Sequence, residues 1–236
     1  MVLVSGGLDS AATLALAVQA GHRCHALTFR YGQRHEAEVQ AAVRVVQSMG
    51  VQDHRIVPIA LGQLGGSALT DPMIPLPRRR SPVEISSGIP LTYVPARNTV
   101  FLAFALALAE VTESDFIYIG VNSMDYSGYP DCRPEYVEAF GRLARLATRR
   151  AVELRAPEIV APLQHMTKAQ IIRRGAELGV DYSLTLSCYA PDAPGRACGQ
   201  CDACALRRRG FREAAVADPT VYQAGFEPAS GSEAAS

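Results

Sequence analysis

The residues best suited to chemistry form a short glycine-rich segment near the start of the chain. Residues 5–10 read Ser-Gly-Gly-Leu-Asp-Ser and directly follow an apolar run at residues 2–4. The glycines permit backbone conformations that side chains forbid, and the helix predicted over residues 9–19 would direct its free N–H groups at an anion. Carboxylate oxygens, as in Asp9, are ligands that Mg²⁺ prefers. The segment predicts a phosphate-binding turn; a tight turn capped by Asp9 or Ser10 is the alternative.

Four cysteines toward the end of the chain have the spacing of a metal site. Their pattern is C-x9-C-x2-C-x2-C, formed by Cys188, Cys198, Cys201 and Cys204. Four thiolates match a tetrahedral structural zinc site, although C-x2-C-x2-C also resembles iron–sulfur spacing. A four-cysteine zinc site has no open coordination position, so the sequence predicts a structural role. Cys24 and Cys132 stand apart and are predicted to be packing residues.

Composition restricts the class of protein. With 236 residues, 48% of them hydrophobic, the chain can bury one substantial core. Lys plus Arg and Asp plus Glu each number 23, so nothing steers the chain broadly toward nucleic acid or an anionic membrane. Apolar stretches are too short to span a bilayer, and the N-terminus does not read as a signal peptide. The sequence predicts a cytoplasmic protein without a nucleic-acid or membrane partner.

Strand-like and helix-like segments alternate along the chain. This alternation predicts an α/β fold, a parallel sheet with helices on both faces, whose ligand binds beyond the carboxyl ends of the strands. Residues 61–92 are rich in Pro and Gly and are expected to cover the active site. The predicted strands are residues 2–4, 23–30, 54–60, 115–120 and 158–161, and the predicted helices are residues 9–19, 35–49, 98–111, 134–149 and 167–179.

A single domain accounts for most of the chain. We predict one domain over residues 1–222, which includes a zinc-bound loop and helix region at residues 182–212. The small, polar residues 223–236 are predicted to be a disordered tail.

Residues 5–10 resemble the signature of the ATP pyrophosphatase family, also called the PP-loop family, and match neither G-x-x-x-x-G-K-[ST] nor G-x-G-x-x-G. The resemblance implies an adenine nucleotide alpha hydrolase-like, Rossmann-like fold. In that family the loop grips the pyrophosphate of ATP, held with Mg²⁺, and a substrate oxygen attacks the α-phosphate. The implied catalytic residues are Asp9, Ser10 and Lys168. The implied ATP-binding residues are Val4, Ser5, Gly6, Gly7, Leu8, Asp9, Ser10, Ala11, Ala12, Thr13 and Leu14.

Further segments are similar to one branch, the 7-cyano-7-deazaguanine synthase family of queuosine biosynthesis. They read Tyr-Gly-Gln-Arg-His at residues 31–35, Val-Pro-Ala-Arg-Asn at 94–98 and Ser-Gly-Tyr-Pro-Asp-Cys-Arg at 127–133, with Lys168 following Pro-Leu. The resemblance implies a ligase that converts 7-carboxy-7-deazaguanine and ammonia to 7-cyano-7-deazaguanine through adenylated intermediates. Because no glutaminase domain is evident, free ammonia is expected. The resemblance also makes a homodimer an expectation.

These motifs supply candidates for nucleotide contacts. Lys168 is expected to stabilise charge on the leaving pyrophosphate; an ordinary first-turn lysine is the alternative. Arg34 and His35 contact nucleotide or transfer protons, unless they are surface residues. Arg97 and Asn98 touch ATP or cap the buried helix that follows.

Substrate contacts are expected from the segment around residue 130. Asp125 and Asp131 are candidates to accept hydrogen bonds from the guanine-like edge, or are solvated loop acids. Arg133 pairs with the substrate carboxylate or with Asp131.

Three other functions remain open from the sequence. Another PP-loop enzyme, such as a tRNA-thiolating sulfurtransferase, would need a spare cysteine. A zinc-stabilised nucleic-acid-binding module would use the arginines at residues 207–209 and would leave the glycine-rich segment unexplained. A related enzyme could amidate or nitrilate another acceptor.

Overall fold

The computed structural model describes residues 1–123 and 128–226, and a parallel sheet organises them. The sheet has five strands in the order β3-β2-β1-β4-β5, and every pairing is parallel. The predicted α/β fold is therefore confirmed. The strands are β1 (Val2–Leu3), β2 (His25–Arg30), β3 (Asp53–Pro58), β4 (Phe116–Tyr118) and β5 (Glu158–Val160).

Helices cover both faces of this sheet. Val2 and Val4 project into one apolar cluster with α1, α2, α7 and α8. Leu3 projects to the other face, among residues of α4 and α5. Burial on both faces explains why the central strand β1 lies in an apolar run, whereas the edge strand β3 is more polar and partly exposed. The helices are α1 (Leu8–Gln19), α2 (Ala37–Ser48), α3 (Pro82–Ile85), α4 (Arg97–Val111), α5 (Pro134–Ala147), α6 (Arg149–Glu153), α7 (Lys168–Glu177) and α8 (Asp202–Ala214).

Two predicted elements differ in detail from the structure. The helix predicted over residues 134–149 ends at Ala147, because Thr148 is extended and its hydroxyl caps the next helix by accepting from the amide of Ala151. Residues 61–92 are not wholly irregular. They include the end of a 3₁₀ helix, Ala60–Leu64, and the short helix α3, which begins with a capping box.

The end of the described chain packs on the cysteine region. The amide of Gln223 donates to the carbonyl of Ala197, and the Phe226 ring lies under the Arg208 guanidinium. Ordered packing thus continues past the predicted boundary at residue 222, while the remainder of the predicted tail, residues 227–236, lies outside the described residues. Across residues 1–123 and 128–226, none of the helices has the length and apolar character needed to cross a membrane.

Candidate active site

A cavity of about 310 Å³ opens at the carboxyl ends of the central strands. β1 is flanked by β2 on one side and by β4 on the other. The chain therefore builds the sheet outward in one direction through β2 and β3 and in the opposite direction through β4 and β5. Such a reversal leaves a crevice between the loops, the usual ligand site of open α/β sheets. Two chemically different ends make up the cavity: a polar end at the glycine-rich turn and an aromatic end beyond it.

The glycine-rich turn is packed tightly against α2. Gly6 has φ +90°, and a Cβ there would lie less than 3.0 Å from the carbonyl oxygen of Glu38 and the amide nitrogen of Ala42. The Ser10 hydroxyl donates to the Gly7 carbonyl at 2.9 Å, which closes the turn. Glycine is therefore required by both conformation and space at residue 6.

Two helix N-termini converge on the polar end. Asp9 lies in the first turn of α1, and Lys168 is the first residue of α7. The Lys168 ammonium donates to both carboxylate oxygens of Asp9, at 2.8 and 2.9 Å. Both helix dipoles and the lysine charge favour an anion here.

Only part of the predicted ATP-binding segment reaches the cavity. The residues that line it are Val4, Ser5, Gly7, Leu8, Asp9 and Ser10. Gly6 is turned against α2, and the remaining four are buried in the core, because α1 is enclosed on nearly all sides along this stretch. Those four, Ala11, Ala12, Thr13 and Leu14, support the turn and do not line the cavity.

Aromatic side chains surround Arg97 at the other end. The Arg97 guanidinium carbon lies 5.9 Å from the ring centres of Tyr31 and Phe101 and 6.0 Å from that of Tyr129. Arginine stacks favourably on aromatic faces and keeps its charge when buried. This end of the cavity therefore suits a flat, anionic ligand.

Glu38 is a cavity residue that the sequence analysis missed. It lies in the first turn of α2 and faces inward. Burial raises the pKa of its carboxyl to about 7, and the nearby charge of Arg97 only partly opposes this. Its position four residues before Ala42 and seven before Val45, both buried, was an available signal, because this spacing places it on the apolar face of α2.

Arg34 and His35 both line the cavity, but only the Arg34 side chain has hydrogen-bond partners in the long loop. The Arg34 guanidinium donates to the carbonyls of Asp71 and Ile74, each at 2.6 Å, so it holds the long loop. Arg34 also lines the cavity, so its predicted contact with nucleotide stays a prediction. His35 Nδ1 is buried without a hydrogen-bond partner among the described residues. Burial lowers the pKa of His35, which favours the neutral imidazole.

Asn98 and Asp131 bind each other. The backbone amide of Asn98 donates to an Asp131 carboxylate oxygen at 2.9 Å. The Asn98 side-chain amide donates to the Asp131 carbonyl and to the Cys132 sulfur. Asp131 is thus neither a solvated acid nor a cavity residue; it stabilises the N-terminus of α4. Cys132 is buried there, as a packing residue would be, and also borders the cavity.

Arg133, a predicted substrate contact, does not line the cavity. Arg133 is exposed and donates to the carbonyl of Pro130 at 3.1 Å, because it precedes α5 and faces outward. It does not pair with Asp131. Asp125 lies outside the described residues.

The four predicted metal ligands form one buried cluster. The Sγ atoms of Cys188, Cys198, Cys201 and Cys204 all lie within 4.8 Å of one another. Backbone amides donate to the sulfurs, for example that of Cys198 to Cys188 at 3.1 Å. Four sulfurs placed tetrahedrally at about 2.3 Å from a zinc ion lie about 3.8 Å apart. The cluster could therefore hold a single metal ion.

The long loop is joined to this cluster. The Arg79 amide donates to the carbonyl of Gln200 at 2.8 Å. The Arg80 guanidinium forms a two-point ion pair with the buried carboxylate of Asp202, at 2.5 and 3.1 Å. Because Leu69 of the same loop lines the cavity, the cysteine cluster and the cavity wall share one segment.

The fold and the site together define a nucleotide-binding α/β protein of the PP-loop type. The family model described as "Queuosine biosynthesis protein QueC" matches residues 1–215. A 7-cyano-7-deazaguanine synthase of Thiobacillus denitrificans is 60% identical over 222 residues, which are 94% of this chain and 97% of that protein. The synthase of the same name from Pseudomonas fluorescens is 55% identical over the same shares. The chain belongs to the QueC family of queuosine biosynthesis proteins.

Solved structures give a more distant likeness. NMN synthetase from Francisella tularensis is 16% identical, with a TM-score of 0.47 over 92% of this chain and 86% of that chain.

Proposed function

We propose that this protein is a ligase that makes 7-cyano-7-deazaguanine from 7-carboxy-7-deazaguanine, ammonia and ATP. The observation that carries the proposal is the identity of 60% to a synthase of this product along nearly the whole chain. A cavity with an anion-binding end and an aromatic end supports it, because the substrates are a polyphosphate and a flat carboxylate.

The proposed chemistry needs two rounds of activation at one carbon. A carboxylate oxygen attacks the α-phosphorus of ATP, pyrophosphate leaves, and ammonia then displaces AMP with loss of a proton to give the amide. The amide oxygen attacks the α-phosphorus of a second ATP, pyrophosphate leaves, and one N–H proton is lost to give an adenylated imidate. The resulting imidate loses AMP and its remaining N–H proton to give the nitrile.

The polar end suits the polyphosphate. The amides of the turn and the N-termini of α1 and α7 would bind the departing pyrophosphate, and Lys168 would stabilise its developing charge. Asp9 would hold a magnesium ion, which supplies charge neutralisation. The Asp9–Lys168 ion pair keeps both groups oriented at this end of the cavity.

The cysteine cluster suits zinc better than an iron–sulfur centre. All four sulfurs lie within 4.8 Å of one another, which fits one ion, whereas a cluster of several irons holds its cysteines farther apart. Four protein ligands leave no position for substrate, so the ion would be structural. Reduced thiolates agree with the predicted cytoplasmic location.

The arginine runs do not favour a nucleic-acid-binding function. Arg207 is buried and bonds Asp218 and Thr185, while Arg208 donates to the carbonyl of Gly199. Arg150 pairs with Asp115. These cations are used within the fold, which removes them from a phosphate-binding surface.

A homodimer is part of the proposal. Exposed apolar side chains on α4 and α5 support it: Phe104, Val111, Leu143 and Leu146.

The direct test is mass spectrometry of base and nucleotide products after incubating purified protein with 7-carboxy-7-deazaguanine, ATP, magnesium and ammonium. We expect amide and then nitrile, with one AMP and one pyrophosphate for each activation. Release of ADP, or AMP formation with only another acceptor, would contradict the proposal.

A further inference from the structure

Glu38 is a cavity-lining carboxylate without a hydrogen-bond or ion-pair partner in the part of the chain that the structure describes. Within residues 1–123 and 128–226 no group donates a hydrogen bond to its side chain, and no cation lies within 4.0 Å of it. Burying an unpaired carboxylate is costly, and its raised pKa reflects that cost. Other acids near the cavity, Asp9 and Asp131, already have partners.

The surroundings of Glu38 restrict the kind of ligand that would satisfy it. Tyr31, Phe101 and Tyr129 provide flat apolar surfaces around Arg97. Glu38 and Arg97 share this end of the cavity without an ion pair between them. A fitting ligand is therefore planar, with hydrogen-bond donors on one edge and a negative charge elsewhere.

A guanine-type ring carries such an edge. Its ring N1–H and exocyclic amino group are adjacent donors, and the two oxygens of a carboxylate can accept both. The carboxylate at position 7 of the proposed substrate would then supply the negative charge that Arg97 attracts.

We propose that Glu38 is the specificity-determining residue that accepts hydrogen bonds from the N1–H and 2-amino groups of 7-carboxy-7-deazaguanine. This inference rests on the proposed function. It assigns the recognition role that the sequence had suggested for Asp125 and Asp131 to a residue on α2. Asp131 is unsuited because its carboxylate caps α4.

The test compares two substrates and two matched variants. The substrates are 7-carboxy-7-deazaguanine and its analogue without the 2-amino group, and the readout is kcat and KM for amide formation. Glu38→Gln retains the shape but presents an amide N–H toward the ligand donors. Glu36→Gln is the control, because Glu36 is exposed and pairs with Arg30 at 3.0 Å near the same helix end.

We expect the unaltered protein and the Glu36→Gln variant to prefer the 2-amino substrate by at least about tenfold. Glu38→Gln should raise KM for that substrate by at least about tenfold and abolish the preference, and Glu38→Asp should restore part of it. Thermal unfolding and metal content confirm that each variant is folded.

Two other results would contradict the proposal, and they can be distinguished from each other. Lower kcat in Glu38→Gln with KM and preference unchanged would mean that Glu38 accepts a proton during catalysis, which overturns the recognition role. Failure of the unaltered protein to use either substrate would instead contradict the proposed function.

Discussion

At the scale of single residues, Gly6 packs the glycine-rich turn directly against α2. We expect Gly6→Ala to lower amide formation more than tenfold and to destabilise the fold, because the new methyl group meets backbone atoms of Glu38 and Ala42 that cannot move independently. Steady-state kinetics and thermal unfolding measure the two effects.

The matched control for this change is Gly21→Ala. Gly21 also has positive φ, +79°, but a Cβ there would meet nothing within 4 Å. It should show only the modest strain of the left-handed conformation. Equal losses in both variants would mean that conformation alone, and not the contact with α2, makes glycine necessary at Gly6.

The buried Glu38 carboxylate should favour substrate binding and lower the stability of the folded protein. Its folded pKa, about 7, exceeds its ordinary value of 4.5, so the folded protein binds the proton more tightly than the unfolded chain does. Stability contributed by the protonated form is lost as pH rises through 7. Glu38→Gln should therefore raise stability at pH 8 by up to about 3 kcal/mol while weakening substrate binding.

Substrate binding should show the complementary pH dependence. The carboxylate form accepts both ligand donors, so affinity should fall as pH decreases from 8 to 6 and should be flatter in Glu38→Gln. Arg97 and Tyr31 are the charged and titratable groups that interact with Glu38, and His35 lines the same cavity. Arg97 stays charged, burial keeps the pKa of Tyr31 above its ordinary range, and that of His35 is lowered. An identical pH profile in both proteins would contradict this assignment.

Residue-level prediction from the sequence depended on how local each signal was. The glycine-rich turn was readable because strand, glycines and helix are contiguous. Asp131 was not, because its partner Asn98 is 33 residues away. The loop contacts of Arg34 were not readable for the same reason: Asp71 and Ile74 lie in a segment whose path the sequence does not reveal.

At the scale of elements, the long loop depends on its attachment to α8. Arg80→Ala leaves the carboxylate of Asp202, which is only 5% exposed as a side chain, without its cation. Removing one partner of a buried ion pair is strongly destabilising, so we expect Arg80→Ala to lower the free energy of unfolding by about 1–3 kcal/mol. The loop should also be cut faster by proteases within residues 61–92, as limited proteolysis would measure.

Arg149→Ala supplies the comparison for that prediction. Arg149 pairs with Glu153 at 2.8 Å, but its side chain is 81% exposed, and such surface pairs contribute little. We expect Arg149→Ala to lower the free energy of unfolding by less than about 0.5 kcal/mol and to leave protease cleavage of the long loop unchanged. If Arg80→Ala behaves in the same way, the ion pair does not hold the loop.

Elements were predicted better than their boundaries. The alternation of strands and helices gave the sheet class because both periodicities are intrinsic to the chain. The break at Thr148 was missed because either a continuing helix or a new cap satisfies the local pattern. Strand order was not readable either, since pairing joins segments far apart in sequence, as in β1 with β4.

At the scale of the whole molecule, the cysteine cluster fastens several separate parts of the chain. Around it lie the long loop, α8 and residues 221–223. We expect purified protein to contain about one zinc ion per chain and chelation to lower both the melting temperature and amide formation. Calorimetry and metal analysis test this.

Two serine variants separate metal binding from thiol loss. Cys204→Ser should reproduce the effect of chelation, because Cys204 is buried in the cluster. Cys24→Ser should retain zinc, since Cys24 is half-buried elsewhere and donates weakly to the carbonyl of His22. Iron and inorganic sulfide in the purified protein would instead identify an iron–sulfur centre.

The ion pair between Lys168 and Asp9 has a practical consequence, because Lys168 is the single lysine among the 236 residues, alongside 22 arginines. A reagent selective for amines finds only one side-chain amine, and that amine lies at the polar end of the cavity. Peptide mapping separates this adduct from one at the amino terminus. The extent of Lys168 acylation should fall when ATP and magnesium are added. Acylation would then measure how much of the site is occupied, without any substitution in the chain.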